Sequence, residues 1–308
     1  MVYLLFKQIM SMMIMIACGF TLVKTGILDA KQSGTLSSIT IYLVLPCVVI
    51  SSFQIEITQT VRRGFMTAVA IAVVYHFLLM IVCRIMRKPL GIRPIEEASV
   101  FYSNSGNMII PLVASVIGKE MIIYANAFFC VQTIFTWTHG HALISGKRST
   151  DIKNLLKNPN LIAIGIGLVM FMTGLRLPEL VRLPVEALAS IVGPVSMITI
   201  GMILTRVQWS AILTNGRLYL ITALRMIIVP AGTLFLLMIC RRLFLQGVEK
   251  EIIFVSFMAV MAPTAVTVMQ MANLYRREEV YAGMICAATT IICIATMPLM
   301  AALYLKVM

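Results

Sequence analysis

The chain has 308 residues, 60% of them hydrophobic and 12% charged, with a mean hydropathy of +0.97. A soluble domain carries about 25% charged residues, so a water-soluble enzyme, a disordered chain and a coiled coil are excluded. The net charge of +13 is spread over short basic clusters between long apolar runs, which assigns it to lipid headgroups and not to nucleic acid.

Ten apolar segments are predicted, near 3–23, 35–54, 64–86, 97–118, 121–145, 160–177, 187–206, 215–240, 251–274 and 280–305. A helix crosses a bilayer with about 20 residues, and the short alternating strands of a membrane barrel are absent. The fold class is therefore an all-α polytopic membrane protein of ten transmembrane helices. The first segment reads as an anchor and not as a cleaved signal, because no small-residue cleavage site follows it. In the third segment His76 lies midway between Arg63 and Arg87. It is the central residue that titrates near neutral pH, so it is the candidate proton carrier, weighed against a plain packing role.

The fourth segment carries five consecutive small or polar residues, Ser103, Asn104, Ser105, Gly106 and Asn107, followed by Pro111. The fifth holds Asn126 and Gln132. A polar connection near 146–159, ending in Asn158-Pro159-Asn160, divides the chain into a first half at 1–146 and a second at 160–308, with 147–159 as a cytoplasmic loop. In the eighth segment Arg225 is intramembrane, where an arginine costs roughly 2.5–3.5 kcal/mol on insertion scales and must face protein or water. It has two readings: a guanidinium fork for a carboxylate, or a cap on the free carbonyls of a broken helix. In the ninth, Ala262-Pro263-Thr264 sits at the middle, with Thr267 beyond it.

Proline removes an amide and opens the helix, and bare backbone persists in a membrane only where it is packed in protein or lines a wet cavity. Breaks at Gly106, Pro111 and Pro263 are thus expected to build a midplane site. Ser103, Asn104, Ser105, Asn107, Thr264, Thr267 and Arg225 are the candidate substrate or ion contacts. Pro46, Pro194, Pro230 and Pro298 read as kinks. Five segments per half make the halves inverted in the membrane. The pairs Pro46 and Pro194, Pro111 and Pro263, and His76 and Arg225 are separated by 148, 152 and 149 residues, which agrees with a repeat. The basic residues, led by Arg84, Arg87, Lys88, Lys147 and Arg148, favour loops after odd segments, which places both termini outside. The seven cysteines form no Cys-x-x-Cys pair, and no metal-ligand cluster, cofactor motif, nucleotide loop or nucleophile constellation is apparent, so neither cofactor nor enzyme activity is expected.

The stretch Asn104-Ser105-Gly106-Asn107-Met108-Ile109-Ile110-Pro111-Leu112 resembles the fourth-helix segment of the auxin efflux carrier family of permeases. Asn158-Pro159-Asn160-Leu161, Gly201 and Met261-Ala262-Pro263-Thr264-Ala265 extend the likeness over the second half. The short connection resembles the compact prokaryotic branch, with its malate and malonate permease homologues. The resemblance implies the fold shared with bile acid/sodium symporters: segments 4 and 9 crossing, segments 1, 2, 6 and 7 as scaffold, segments 3–5 and 8–10 as a moving core, dimers, and an elevator-like motion. It departs from the plant carriers in having no Asn or Gln beside Pro263. The expected function is secondary transport of a small organic anion, a carboxylate, across a bacterial cytoplasmic membrane. Its own gradient or a proton would drive it, with sodium ranked behind. The alternatives are a sodium-coupled symporter and a non-transporting sensor or scaffold that keeps a ligand cavity.

Overall fold

The computed structural model describes residues 2–55, 58–146, 157–207, 210, 214–243 and 247–308. Most of the predicted connection, residues 147–156, lies outside them. The regular elements among the described residues are all helical, with a single isolated backbone bridge. In chain order the helices are α1 (Val2–Lys24), α2 (Ser33–Ile39), α3 (Leu45–Ser52), α4 (Gln59–Arg87), α5 (Pro94–Phe101), α6 (Ile110–Val116), α7 (Ile122–Phe135) and α8 (His141–Ser145). After the connection come α9 (Pro159–Thr173), α10 (Glu179–Ser190), α11 (Val192–Leu204), α12 (Gly216–Ala223), α13 (Val229–Leu243), α14 (Lys250–Met261), α15 (Val266–Leu274) and α16 (Glu279–Val307).

Among the described residues, seven continuous helical stretches are long and apolar enough to cross a membrane, against the ten expected. The difference has a physical origin. Two predicted segments are each divided into half-helices, α5 with α6 and α14 with α15, and α9 is only 15 residues long.

Among the described residues, four five-residue π-turns widen the helices, at Thr40–Val44, Ser105–Ile109, Thr136–Gly140 and Leu224–Ile228. Three of them end two residues before a proline: Pro46, Pro111 and Pro230. A proline ring collides with the carbonyl four residues back and offers it no amide. The wider turn moves that carbonyl aside, at Pro46 and Pro230 as at Pro111.

Two groups of helix contacts stand out, and α16 packs on both, against α1 and α11 as well as α14. α1 lies along α11 in the most extensive helix pairing among the described residues, and α3 packs on α9 and α10. α4 lies along α7, and α14 packs on α4, α7 and α13. The α1–α11 contact is backbone on backbone: Gly19 faces the Ile198 carbonyl and Gly201 faces the Ile16 carbonyl. Phe53, Phe65 and Phe171, with ring centroids 4.6 to 5.8 Å apart, join α4 and α9 beside α3.

Glu96 lies in the first turn of α5 and is fully buried. It accepts from Arg217 Nε at 2.8 Å and Nη2 at 2.7 Å, from the Arg93 amide at 2.8 Å and from the Tyr281 hydroxyl at 3.0 Å. One carboxylate thus ties the starts of α5, α12 and α16 together. Satisfying every oxygen is the condition for burying a charge.

Candidate functional site

α5 ends where Tyr102 becomes extended, at φ −94° and ψ 124°. The chain is helical again from Ser105. α14 ends at Ala262, at φ −61° and ψ 152°, and α15 starts at Val266. The two extended links lie antiparallel, bridged between Ser103 and Thr264. The Asn104 amide donates to Pro263 O at 2.8 Å, and the Ala265 amide donates to Tyr102 O at 2.9 Å. The opening in the first link therefore lies at Tyr102–Asn104. This corrects the expected break at Gly106 and Pro111. Gly106 sits inside the π-turn with the Phe129 ring against it, and Pro111 sits in the first turn of α6. What Pro111 does is withhold an amide from the carbonyl of Asn107, four residues back. Pro263 lies in the second link, between α14 and α15.

Side chains from three other elements hold the crossing. Gln132 of α7 accepts from the Ser103 amide at 3.1 Å and hydroxyl at 2.7 Å, and its Nε2 donates to Ser103 O at 2.7 Å. The Thr264 hydroxyl donates to Ser99 O at 2.9 Å, and its amide donates to the Thr289 hydroxyl at 3.2 Å. Arg225, fully buried, rises from the π-turn of α12–α13. Its Nε donates to Ala262 O at 3.1 Å, its Nη1 to Val100 O at 3.0 Å, and its Nη2 to Val260 O at 2.9 Å and Ala262 O at 2.7 Å. Of the two readings of Arg225, these bonds match the carbonyl cap: four donations go to the last carbonyls of two half-helices, which leaves no fork for a carboxylate.

Ser103 and Thr264 thus have structural partners. Asn104, Ser105 and Asn107 do not: Asn104 Nδ2, Ser105 Oγ and Asn107 Oδ1 are buried with no hydrogen-bond partner in the protein. These residues are 2%, 0% and 3% exposed, where an unsatisfied polar group costs about 1–3 kcal/mol. The Asn107 carbonyl lies against Gly193 of α11. Thr267 is half-buried in the first turn of α15. Asn126 of α7, Ser196 of α11 and Gln270 of α15 also hold unpartnered buried atoms. Ser196, Gln270 and Thr289 were not singled out from sequence. The signal that marks them is a polar side chain on an otherwise apolar helix, which must find a partner or a ligand.

His76 is enclosed by rings. Phe135 stacks on it at 5.1 Å, with Phe128 at 5.0 Å and Phe101 at 5.6 Å. Its Nδ1 lies 2.7 Å from Ala72 O, and Nε2 has no partner in the protein. A groove of about 730 Å³ between α4, α13 and α14 passes Tyr75 and Ser256, but its lining is nearly all hydrocarbon and offers an anion nothing. Among the described residues no group of three or more His, Cys, Asp or Glu could hold a metal.

No curated protein gives a significant match to the sequence. A family model described as Membrane transport protein matches residues 4–154 and 148–301, nearly the whole chain. Together with the apolar helices and the buried crossing, this match identifies the chain as a membrane transporter belonging to the membrane transport protein family, the family of the auxin efflux carriers.

Proposed function

We propose that the protein is a secondary active transporter of a small organic anion, a carboxylate, working by elevator-like alternating access. The observation that carries this reading is the cluster of Asn104, Ser105 and Asn107, with polar atoms buried and unpartnered beside the crossing that Arg225 helps to hold. Side-chain amides and a hydroxyl can donate to carboxylate oxygens. We read the chain as ten spans in two inverted halves of five, at 1–146 and 160–308, in a bacterial cytoplasmic membrane with both termini outside. α1–α3 and α9–α11 serve as scaffold and the remaining helices as moving core. Asn107 against Gly193 then lies where core meets scaffold, the surface that slides in such a motion. The homodimer is carried over from the family resemblance.

The test is flux of a radiolabelled dicarboxylate into proteoliposomes. Wild-type protein is expected to move it down its gradient. Asn107→Leu removes two donors and an acceptor and should lower flux at least about tenfold, or about 1.4 kcal/mol or more in transition-state terms, with an unchanged elution profile in detergent. Binding with no flux under any ion gradient would favour the sensor reading instead.

For coupling, the anion's own gradient or a proton is the proposed drive, carried on the substrate or on His76 Nε2. His76→Gln keeps size and hydrogen bonding but cannot titrate. The expected result is flux that loses the part of its pH dependence centred near neutrality. Full retention of that dependence removes His76 from the mechanism.

A further inference from the structure

The carbonyls that Arg225 takes come from two separate half-helices. Val100 is the penultimate residue of α5. Val260 is the penultimate residue of α14, and Ala262 follows its last turn. Helix C-terminal ends each carry about half a negative charge on such carbonyls. Two ends facing one point amount to about one negative charge, which one guanidinium cancels. In transporters with broken helices, converging half-helix carbonyls are where a coupling cation binds. Here the oxygens are already coordinated, at 2.7 to 3.1 Å, by a cation covalently attached to the chain. The π-turn Leu224–Ile228 and Pro230 behind it fix where that side chain starts.

We propose that Arg225 is a tethered counter-cation: a positioning residue that permanently fills the place of a dissociable coupling cation and holds the two half-helices together through the whole cycle. This rests on the reading of the crossing as the centre of a transporter, and it adds that no free cation binds to the carbonyls of Val100, Val260 and Ala262. The cation is a resident part of the fold, and cation binding at this point contributes nothing to coupling.

The experiment uses the full chain, purified in detergent, with thermal unfolding followed in choline chloride, sodium chloride, potassium chloride or methylguanidinium chloride at equal ionic strength and millimolar concentration. The wild-type midpoint is expected to be the same in all four. Arg225→Ala strips the cap from both ends and should drop the midpoint by about 10 °C, given the cost of uncapped buried carbonyls in a chain this long. Methylguanidinium should restore most of that drop, sodium a smaller part and choline none. Arg225→Lys keeps the charge and should lose less than half as much, with little response to added cation. Arg182→Ala, which breaks an exposed pair with Glu186, should respond to none of the salts.

An Arg225→Ala midpoint that is indifferent to methylguanidinium and sodium overturns the proposal, as does a wild-type midpoint raised by sodium alone. Should Arg225→Ala yield no folded protein, the wild-type and Arg225→Lys arms decide: a sodium response in either overturns the idea, and none in both supports it. The unfolding arms do not depend on which anion is carried. If no dicarboxylate moves in proteoliposomes, the anion reading fails while the cation question is still answered.

Discussion

Gly201→Ala should be among the most damaging single-methyl changes in the chain. Gly201 of α11 faces the Ile16 carbonyl and lies close to the Phe20 amide of α1, while Gly19 of α1 faces the Ile198 carbonyl. The obstacle to an added methyl is backbone on both sides, so no side-chain rotation can relieve it, and the two helices must separate along their whole contact. Overpacking of this kind costs about 1–3 kcal/mol and sometimes more. Because it falls on the most extensive helix pair, we expect the upper end, about 3 kcal/mol. That should appear as a lowered unfolding midpoint in detergent and reduced yield. Gly165→Ala in α9 is the matched control. Nothing lies near that position, so the better helix former should be neutral or stabilise by up to about 1 kcal/mol. Equal midpoints for the two variants would mean that α1 and α11 are not held as described.

The second large effect is expected at Gln132. Its amide makes three hydrogen bonds to Ser103, using both faces of one residue in the extended link. Gln132→Leu leaves the Ser103 amide, hydroxyl and carbonyl buried with that partner gone, at about 1–3 kcal/mol for each group left unsatisfied. We expect flux to fall below detection and the unfolding midpoint to drop together, because the link itself is destabilised. Gln132→Glu separates the contributions. A carboxylate can still accept from the Ser103 amide and hydroxyl but cannot donate to Ser103 O, so flux and midpoint should lie between those of wild type and the leucine variant. Flux unaffected by Gln132→Leu would show that the link does not depend on this clamp.

The sequence makes the interruptions legible because they are local. A run of Ser, Asn and Gly in an apolar segment has few readings, and Pro263 in mid-segment has fewer still. What sequence could not supply was the register. The run Ser103–Asn107 begins in the extended link, but most of it is π-helical, and Pro111 governs the turn after the opening instead of the opening itself. The link's position is set by tertiary hydrogen bonds with Gln132, Pro263 and Ala265, which are remote in the chain. Arg225 shows the same limit. Its presence in an apolar segment announces a partner. Which partner depends on where two half-helices end in space, and both an anion and a carbonyl cap satisfied the sequence equally well. Gln270 and Thr289 carry no pattern that separates them from buried amides and hydroxyls on any helix, so their placement emerges only from the packing. The three-proline rule, with a wide turn ending two residues before Pro46, Pro111 and Pro230, is also a structural finding, since proline alone predicts a bend but not its type.

Arg225 also gives the molecule an electrical character. A buried guanidinium that belongs to the moving helices travels with them, and the half-helices whose ends face it are dipoles with no net charge, so under the proposed motion the empty carrier transfers one positive charge through part of the membrane field. Loaded with a monoanion, the same step transfers no net charge, and loaded with a dianion it transfers one negative charge. Each elementary charge taken across the full field is worth about 2.3 kcal/mol per 100 mV. Voltage would then act on the return of the empty carrier when the cargo is a monoanion, and on both half-cycles, in opposite senses, when it is a dianion. Currents recorded from a supported membrane during a concentration jump would report the valence of the cargo before its chemical identity is known, and a current whose sign ignores cargo valence would rule the fixed charge out of the moving body.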